Sequence, residues 1–267
     1  MLFYAYFYIG DKMKIYKIAM TYCMVFLFII SSMCFFKSKE VTDAFVNSWG
    51  LSFKGNSEPE ISIDKNTLNK YNAYYQGEKG NNYLYLTFDC GYELGYTESI
   101  LNTLKNNNVK ATFFIVGYYL NNNLNLVKRM INEGHNVCNH TYNHPNMDGL
   151  SLEKLENEIS KLENTYYELT NHQLIKYFRP PQGIYNYAQL NKMSELGYKT
   201  IFWSVAYMDY DTKNQYSYQK ALDLLKSRTH DGAIILLHNT SSTNEQILDA
   251  YIKYQKRIGF SFKKIDF

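Results

Sequence analysis

Four short polar clusters in the chain contain side chains that enzymes use for proton transfer and metal binding. They are Thr87-Phe-Asp-Cys-Gly91, His140-Thr-Tyr-Asn-His144, Arg179-Pro-Pro-Gln-Gly183 and Leu236-Leu-His238. A carboxylate and an imidazole can act as general base and general acid. Two histidines four residues apart can bind one metal ion. The clusters therefore predict metal-assisted acid–base chemistry, provided that the fold brings them together.

Each cluster taken alone also has a purely structural interpretation. Asp89 can be a turn residue before a glycine, and a short HxxxH spacing can arise by chance. Arg179 opens a rigid Pro-Pro-Gln-Gly loop, and His238 follows an apolar run, where a histidine often only completes the edge of a core. All four clusters, however, lie directly after predicted strands. Catalytic groups collect at strand C-termini in parallel α/β folds, so the shared placement favours a functional site.

Short apolar runs alternate with helical patterns from Tyr83 onward. Alternation of strands and helices is typical of an α/β fold with a parallel sheet. About seven units predict a distorted (β/α) barrel of about seven strands, with the site at the strand C-termini. Strands are expected near 83–88, 111–116, 136–139, 177–178, 200–204, 233–237 and 260–265, and helices near 64–75, 96–106, 125–133, 151–169, 187–196, 218–228 and 243–258.

The combined clusters resemble the polysaccharide deacetylase family, also known as the NodB-homology or carbohydrate esterase 4 group. The resemblance spans about residues 80–267. The longer strings at 87–97, 202–206 and 235–238 are most similar to a sporulation-type subfamily, which deacetylates muramic acid on the way to muramic δ-lactam in spore cortex peptidoglycan. The resemblance implies a NodB-type barrel and the hydrolysis of an N-acetyl group on a glycan.

The resemblance also implies a role for each matching residue. Asp89 aligns with the catalytic base that deprotonates the attacking water. His238 aligns with the general acid that protonates the leaving amine, and histidine titrates in a suitable range for this step. His140 and His144 align with two metal-binding histidines, and a divalent cation would acidify water and polarise the amide carbonyl. Arg179 would hold and orient Asp89.

Two further positions bear on the metal and the oxyanion. The backbone N–H of Gln182 would help the metal to stabilise the tetrahedral oxyanion. Cys90 stands where most of the family has an aspartate that is the third metal ligand, and the muramic acid subfamily also departs there, usually with asparagine. A thiolate is a good zinc ligand, which predicts a His/His/Cys zinc site. The alternative is a non-coordinating thiol beside a two-histidine site completed by water.

The family's helper for the general acid is also replaced. Ala206 stands at the aspartate position of the family's Trp-x-x-Asp motif, and Asp209, three residues later, is the remaining candidate for that task. Trp203, Tyr207 and Tyr210 are candidates to line a sugar groove. For Trp203, core packing is the alternative.

The bulk composition excludes some partners. The 28 basic and 25 acidic residues give a formal net charge of +3, and no Lys/Arg-rich run is present to bind phosphates, so we expect no nucleic-acid partner. Two of the four cysteines, Cys23 and Cys34, lie in an apolar N-terminal segment. The other two, Cys90 and Cys138, have no CxxC spacing, so a disulfide framework is not indicated.

The N-terminus predicts export. Residues 18–36 carry no charge and have lysines on both sides. Such a run can span a bilayer as a helix, and a basic start before an apolar stretch also describes a secretory signal. We expect residues 1–36 to be a cytoplasmic start with an N-terminal hydrophobic helix as membrane anchor, or else a cleaved signal. A linker and lead-in over 37–80 and a catalytic domain over 81–267 follow.

The expected substrate is N-acetylmuramic acid in peptidoglycan that lacks its stem peptide. The main alternative is N-acetylglucosamine in peptidoglycan, chitin-like oligomers or exported polysaccharide. An alternative of another class is a catalytically impaired glycan-binding protein, which the replacement of the third ligand motivates. We further expect a divalent cofactor, zinc fitting His and Cys ligands best, and a monomer on the outer face of the cytoplasmic membrane or in the cell wall.

Overall fold

A parallel sheet forms the centre of the computed structural model, which describes residues 46–53 and 58–267. The strands in these residues are β1 (Asn47–Ser48), β2 (Leu51–Ser52), β3 (Glu60–Ile61), β4 (Ala73–Tyr74), β5 (Tyr83–Cys90), β6 (Thr112–Ile115), β7 (Asn136–Asn139), β8 (Ile175–Phe178), β9 (Ile184–Tyr185), β10 (Lys199–Ile201), β11 (Ile234–His238) and β12 (Ser261–Phe262).

The main sheet has the strand order β11-β5-β6-β7-β8-β10-β4, and β12 also pairs with β5. All of these pairings are parallel. A parallel bridge between Val205 and Ile235 joins the segment after β10 to β11, so the sheet curls back on itself. The prediction of a distorted barrel of about seven strands is confirmed. Two small antiparallel pairs, β1–β9 and β2–β3, lie outside this sheet.

Eight α-helices accompany the strands within the described residues. They are α1 (Lys65–Lys70), α2 (Thr97–Asn106), α3 (Gly117–Asn122), α4 (Leu124–Asn132), α5 (Leu152–Thr170), α6 (Tyr187–Glu195), α7 (Tyr218–Arg228) and α8 (Ser242–Arg257). Most were predicted to within a few residues, and Ser151 caps α5 as expected by accepting from the Lys154 N–H. Helix α3 was not predicted, because glycine and asparagine have low helix propensity. Burial of Tyr119 and Leu120 stabilises it instead.

Strand β5 determines which side chains reach the inside of the barrel. Successive side chains of a strand point to opposite faces. Leu84, Leu86, Phe88 and Cys90 accordingly pack into the large apolar cluster that includes α2 and α8 residues. The intervening residues Tyr85, Thr87 and Asp89 face the other way. The side chains of Asp89 and Cys90 therefore lie on opposite faces of the sheet.

The predicted lead-in over 37–80 contributes to the folded unit wherever the structure describes it. Asp64 caps α1 by accepting from the Thr67 N–H, within the helix expected at 64–75. Strand β4 forms an edge of the main sheet, ahead of the predicted boundary at 81. The ring of Trp49 stacks on Phe202 at 4.4 Å, and its indole N–H donates to the Trp203 carbonyl at 2.9 Å.

The predicted hydrophobic helix within residues 1–36 lies outside the described residues. Of the helices in 46–53 and 58–267, none combines the length and the apolar character needed to cross a bilayer.

Candidate active site

The four polar clusters meet at one edge of the main sheet. His238 ends β11 and lies opposite Asp89 near the end of β5. His140 directly follows β7, and Arg179 directly follows β8. The structure therefore brings together the aspartate, the arginine and the histidines at the carboxyl ends of parallel strands, as their sequence positions predicted.

A buried ion pair holds the carboxylate of Asp89. Arg179 is fully buried and donates from Nη1 to Asp89 Oδ1 at 2.8 Å and to Thr87 Oγ1 at 2.9 Å. Its other donors reach the carbonyls of Ile201 and Phe202 at 3.0 and 3.2 Å. Burial alone would raise the pKa of Asp89, but the charge and hydrogen bond of Arg179, together with the nearby histidines, outweigh burial and lower that pKa. Asp89 is therefore an ionised base at neutral pH.

His140 and His144 form an imidazole pair beside this carboxylate. Their ring centroids are 4.9 Å apart, and His140 Nε2 lies 3.6 Å from Asp89 Oδ2. His140 Nδ1 is 2.8 Å from the Arg179 carbonyl, which can only accept, so Nδ1 carries the proton and Nε2 keeps its lone pair. Burial lowers the pKa of His140 to about 4 and also lowers that of His144.

These two neutral imidazoles fit a divalent cation by their donor chemistry. The second ring nitrogen of His140 is fixed by a backbone carbonyl, which is the usual arrangement for a metal-ligating histidine. His144 has φ 52°, a left-handed conformation that turns the chain so that both rings meet. Within residues 46–53 and 58–267, no group of three or more His, Cys, Asp or Glu forms a complete ligand set. The protein would thus supply two imidazoles and leave other positions to water and substrate.

His238 is held by the carboxylate of Asp209. Nδ1 donates to Asp209 Oδ1 at 2.8 Å, and the His238 backbone N–H donates to Oδ2 at 2.7 Å. Asn244 Nδ2 also donates to Oδ2, at 2.6 Å. Burial would lower the pKa of His238, but the charge and hydrogen bond of Asp209, with a further contribution from the Asp89 charge, outweigh burial and raise that pKa. Asp209 therefore supplies the carboxylate that the family has at the Ala206 position. The raised pKa of His238 suits it to act as an acid.

A cavity of about 590 Å³ opens over these groups and is lined by Asp89, His140, His144 and His238. A second cavity of about 560 Å³ shares the same four residues and is otherwise largely apolar. Its walls are Gln182, Gly183, Trp203, Ala206, Tyr207, Tyr210 and Leu236. The predicted groove residues Trp203, Tyr207 and Tyr210 thus reach the site. Gln182, which lines this second cavity, has φ 58° and therefore lies in a left-handed turn.

Cys90 is not brought to the site. Its side chain is fully buried in the cluster of Leu84, Leu86 and Phe88, and neither cavity wall includes it. Burial also raises the pKa of the Cys90 thiol well above its ordinary value. This arrangement is that of a non-coordinating thiol, one of the two alternatives that the sequence left open.

The sequence did not single out two residues that complete the site. Thr87 joins Arg179 to β11 by donating to the Ile235 carbonyl at 2.7 Å. Asn244, in the first turn of α8, is 1% exposed and fixes Asp209. A polar residue on the apolar face of an amphipathic helix can be recognised in the sequence, and Asn244 is such a residue. That its partner is Asp209 is known only from the fold.

Asp209→Asn is expected to move the alkaline limb of the activity profile to lower pH. With Asp89 as the expected base and His238 as the expected acid, activity should fall as pH drops through the lowered pKa of Asp89 and as pH rises through the raised pKa of His238. Replacing Asp209 by asparagine removes the negative charge that is the main cause of the raised pKa of His238. The pH dependence of kcat/KM measures the shift, and an unmoved alkaline limb would contradict this role of Asp209.

Cys90→Ala is expected to lower stability by about 1 kcal/mol, since it removes a buried sulfur from the core, while metal affinity stays within about twofold of wild type. Urea denaturation and metal titration of the same samples separate the two effects. A His144→Ala variant is the comparison, because it removes an imidazole from the proposed pair. A tenfold or greater loss of metal affinity in Cys90→Ala would show instead that the thiol is a ligand.

Comparisons with known proteins show the family of this chain. A family profile described as Polysaccharide deacetylase matches residues 76–201. A peptidoglycan-N-acetylmuramic acid deacetylase of Bacillus subtilis, PdaA, is 38% identical over 221 residues, which are 82% of this chain and 84% of that protein. A peptidoglycan-N-acetylglucosamine deacetylase of Bacillus cereus is 34% identical over 199 residues, 73% of this chain and 71% of that protein.

The fold of a solved relative is also similar. The structure of Bacillus subtilis PdaA, a family 4 carbohydrate esterase, superposes with a TM-score of 0.80 at 36% identity, covering 84% of this chain and 96% of that one. Taken with the site geometry, these matches show that the chain belongs to the polysaccharide deacetylase family, carbohydrate esterase 4, and is a hydrolase of N-acetyl amide bonds.

Proposed function

We propose that the protein removes the N-acetyl group from N-acetylmuramic acid residues of peptidoglycan that lacks stem peptides, releasing acetate and a free amine. The observation that carries the chemistry is one cavity lined by an ionised carboxylate, Asp89, and a histidine of raised pKa, His238. The similarity to PdaA supports the substrate. The free amine would then condense with the lactyl carboxyl group, with loss of water, to give the muramic δ-lactam of spore cortex peptidoglycan.

The residues of the chain divide the hydrolysis between them. Asp89 accepts a proton from the attacking water as the water oxygen bonds to the acetyl carbon, and Arg179 keeps its carboxylate ionised and oriented. His238 donates a proton to the amide nitrogen as the C–N bond breaks, and Asp209 stabilises the imidazolium before this step. The backbone N–H of Gln182, a residue that lines the second cavity, would donate to the oxygen that becomes negative.

We propose that His140 and His144 hold a divalent cation, zinc being the metal that suits imidazole best among abundant cations. Such an ion, when bound there, would acidify the attacking water and polarise the acetyl carbonyl. The contribution of this chain is to keep both imidazoles neutral by burial and to fix the tautomer of His140 through the Arg179 carbonyl.

We also propose that the enzyme is exported and works as a monomer. The uncharged run at 18–36 with flanking lysines supports a membrane anchor or a signal, which puts the catalytic domain on the outer face of the cytoplasmic membrane or in the cell wall. Peptidoglycan is found on that side, so substrate and location agree. Fractionation of producing cells, with detergent extraction, tests the anchor.

A second candidate substrate is N-acetylglucosamine in peptidoglycan, which the 34% identity to the Bacillus cereus deacetylase supports. Acetate release from glycan strands with and without stem peptides distinguishes the two proposals when the products are analysed by mass. Loss of acetyl from muramic residues of peptide-free strands, with δ-lactam formation, is the expected result. Loss confined to glucosamine residues would overturn the muramic acid assignment and leave the hydrolase assignment intact.

A further inference from the structure

Two exposed tyrosines stand side by side at the mouth of the larger cavity. Tyr92 is 63% exposed and Tyr118 is 54% exposed. Their ring centroids are 5.0 Å apart and their planes are tilted by 54°. Both line the cavity that contains Asp89 and His238. Exposed aromatic pairs contribute little to a core, so this pair is better explained by a ligand that covers it.

The pair is held in place by buried hydrogen bonds. Tyr92 lies in the loop after β5, and Asn239 Nδ2 donates to its carbonyl at 2.8 Å. The adjacent Glu93 turns inward, where its Oε2 accepts from Asn239 Nδ2 at 3.2 Å and from the Tyr119 hydroxyl at 3.3 Å. Tyr119 is the neighbour of Tyr118 in α3. The two tyrosines are thus tied through their neighbours, and a surface that is ordered beforehand loses little entropy on binding.

The rest of this wall is polar but uncharged. Among the described residues that line the cavity, none is a lysine, arginine or glutamate. The polar side chains of the wall beside the tyrosine pair are those of Asn121, Asn122, Tyr142, Asn143 and Thr240, and the wall also includes Gly91, Val116 and Tyr210. Amides and hydroxyls can both donate to and accept from sugar hydroxyls. Apart from the proposed catalytic groups and metal ligands, no charged side chain in the described part of the chain lines this cavity, so the wall beside the tyrosine pair suits a neutral sugar.

We propose that Tyr92 and Tyr118 form a stacking platform for the uncharged pyranose ring next to the sugar that is deacetylated. The C–H bonds on one face of a pyranose carry partial positive charge and meet the negative face of an aromatic ring. The platform rests on the proposed function, because it takes a peptidoglycan strand as the substrate. It deepens that function by making the enzyme prefer a strand to a single sugar.

The test compares kcat/KM for a peptide-free peptidoglycan tetrasaccharide with kcat/KM for the monosaccharide N-acetylmuramic acid, using the full-length chain. Tyr92→Ala and Tyr118→Ala are each expected to lower the tetrasaccharide-to-monosaccharide ratio about 2–12-fold, mainly through KM, which corresponds to one aromatic contact. Tyr92→Phe and Tyr118→Phe keep the ring and are expected to keep the ratio within about twofold. Tyr167→Ala, which removes a 48% exposed tyrosine of α5, is the matched control.

The outcomes separate the platform from the proposed function. If acetate is released but neither alanine variant lowers the ratio, or the phenylalanine variants lose as much as the alanine variants, the platform is wrong and the activity stands. If wild type releases no acetate from either glycan, the proposed function fails. Calorimetric binding of the same tetrasaccharide then decides the platform, which requires weaker binding by the alanine variants than by wild type and Tyr167→Ala.

Discussion

Asp89→Asn is expected to lower kcat by about 10²–10⁴-fold, the range that general acid–base catalysis contributes. The amide has the shape of the carboxylate but cannot accept a proton from water. Because His238 acts in the same reaction, adding His238→Ala to Asp89→Asn should cost much less than the product of the two single losses. Acetate release under substrate saturation measures all three variants.

The control for Asp89→Asn is Asp249→Asn, which changes a half-exposed carboxylate of α8 that pairs with Lys253 at 2.7 Å. It should keep wild-type turnover. Circular dichroism checks that each variant is folded, since Asp89→Asn also removes the partner of Arg179. If wild type and Asp89→Asn release acetate equally slowly, the protein is a glycan-binding member of the family and not a catalyst.

Arg179→Met is expected to lower the free energy of unfolding by about 3–5 kcal/mol, because it leaves the buried carboxylate of Asp89 without its cation. Arg179 has four hydrogen-bond acceptors and packs over the Phe114 ring at 4.2 Å, and methionine replaces only part of that packing. Urea denaturation followed by fluorescence measures the loss.

The same variant should shift the acid limb of kcat/KM to higher pH. The Arg179 charge keeps the pKa of Asp89 low against the effect of burial, so the pKa rises when that charge is removed. Arg257→Met, at an exposed position of α8, is the matched control and should change neither stability nor the pH profile. An unchanged acid limb in a folded Arg179→Met variant would show that another group keeps Asp89 ionised.

Local patterns in the sequence predicted most of the strands and helices, together with the residues at the strand ends. The apolar runs before Asp89 and His238 predicted two strands, and parallel pairing then puts their carboxyl ends at the same edge. Ser151 and Asp64 are recognisable helix caps, because capping depends on residues three positions apart. These features were predictable since each depends on neighbours in the chain.

Other features depend on contacts between distant segments. Asp209 lies on a loop before α7, and only the fold shows that it pairs with His238 on β11. Asn244, on helix α8, donates hydrogen bonds to the Asp209 carboxylate and to the His238 carbonyl. The side of β5 on which Cys90 lies follows from strand alternation, yet the sequence alone could not exclude a loop starting at that residue, which would have freed the thiol for a metal.

The sequence by itself thus determined the order of the elements, the chemical groups of the site and the family to which they belong. Only the tertiary structure decided which of those groups meet. Thr141, His144 and Gln182 all have left-handed backbone conformations, which non-glycine residues rarely adopt and which a sequence does not reveal. Local propensities set helices and strands, whereas the free energy of packing selects the turns that let Asp89, His140, His144 and His238 line one cavity.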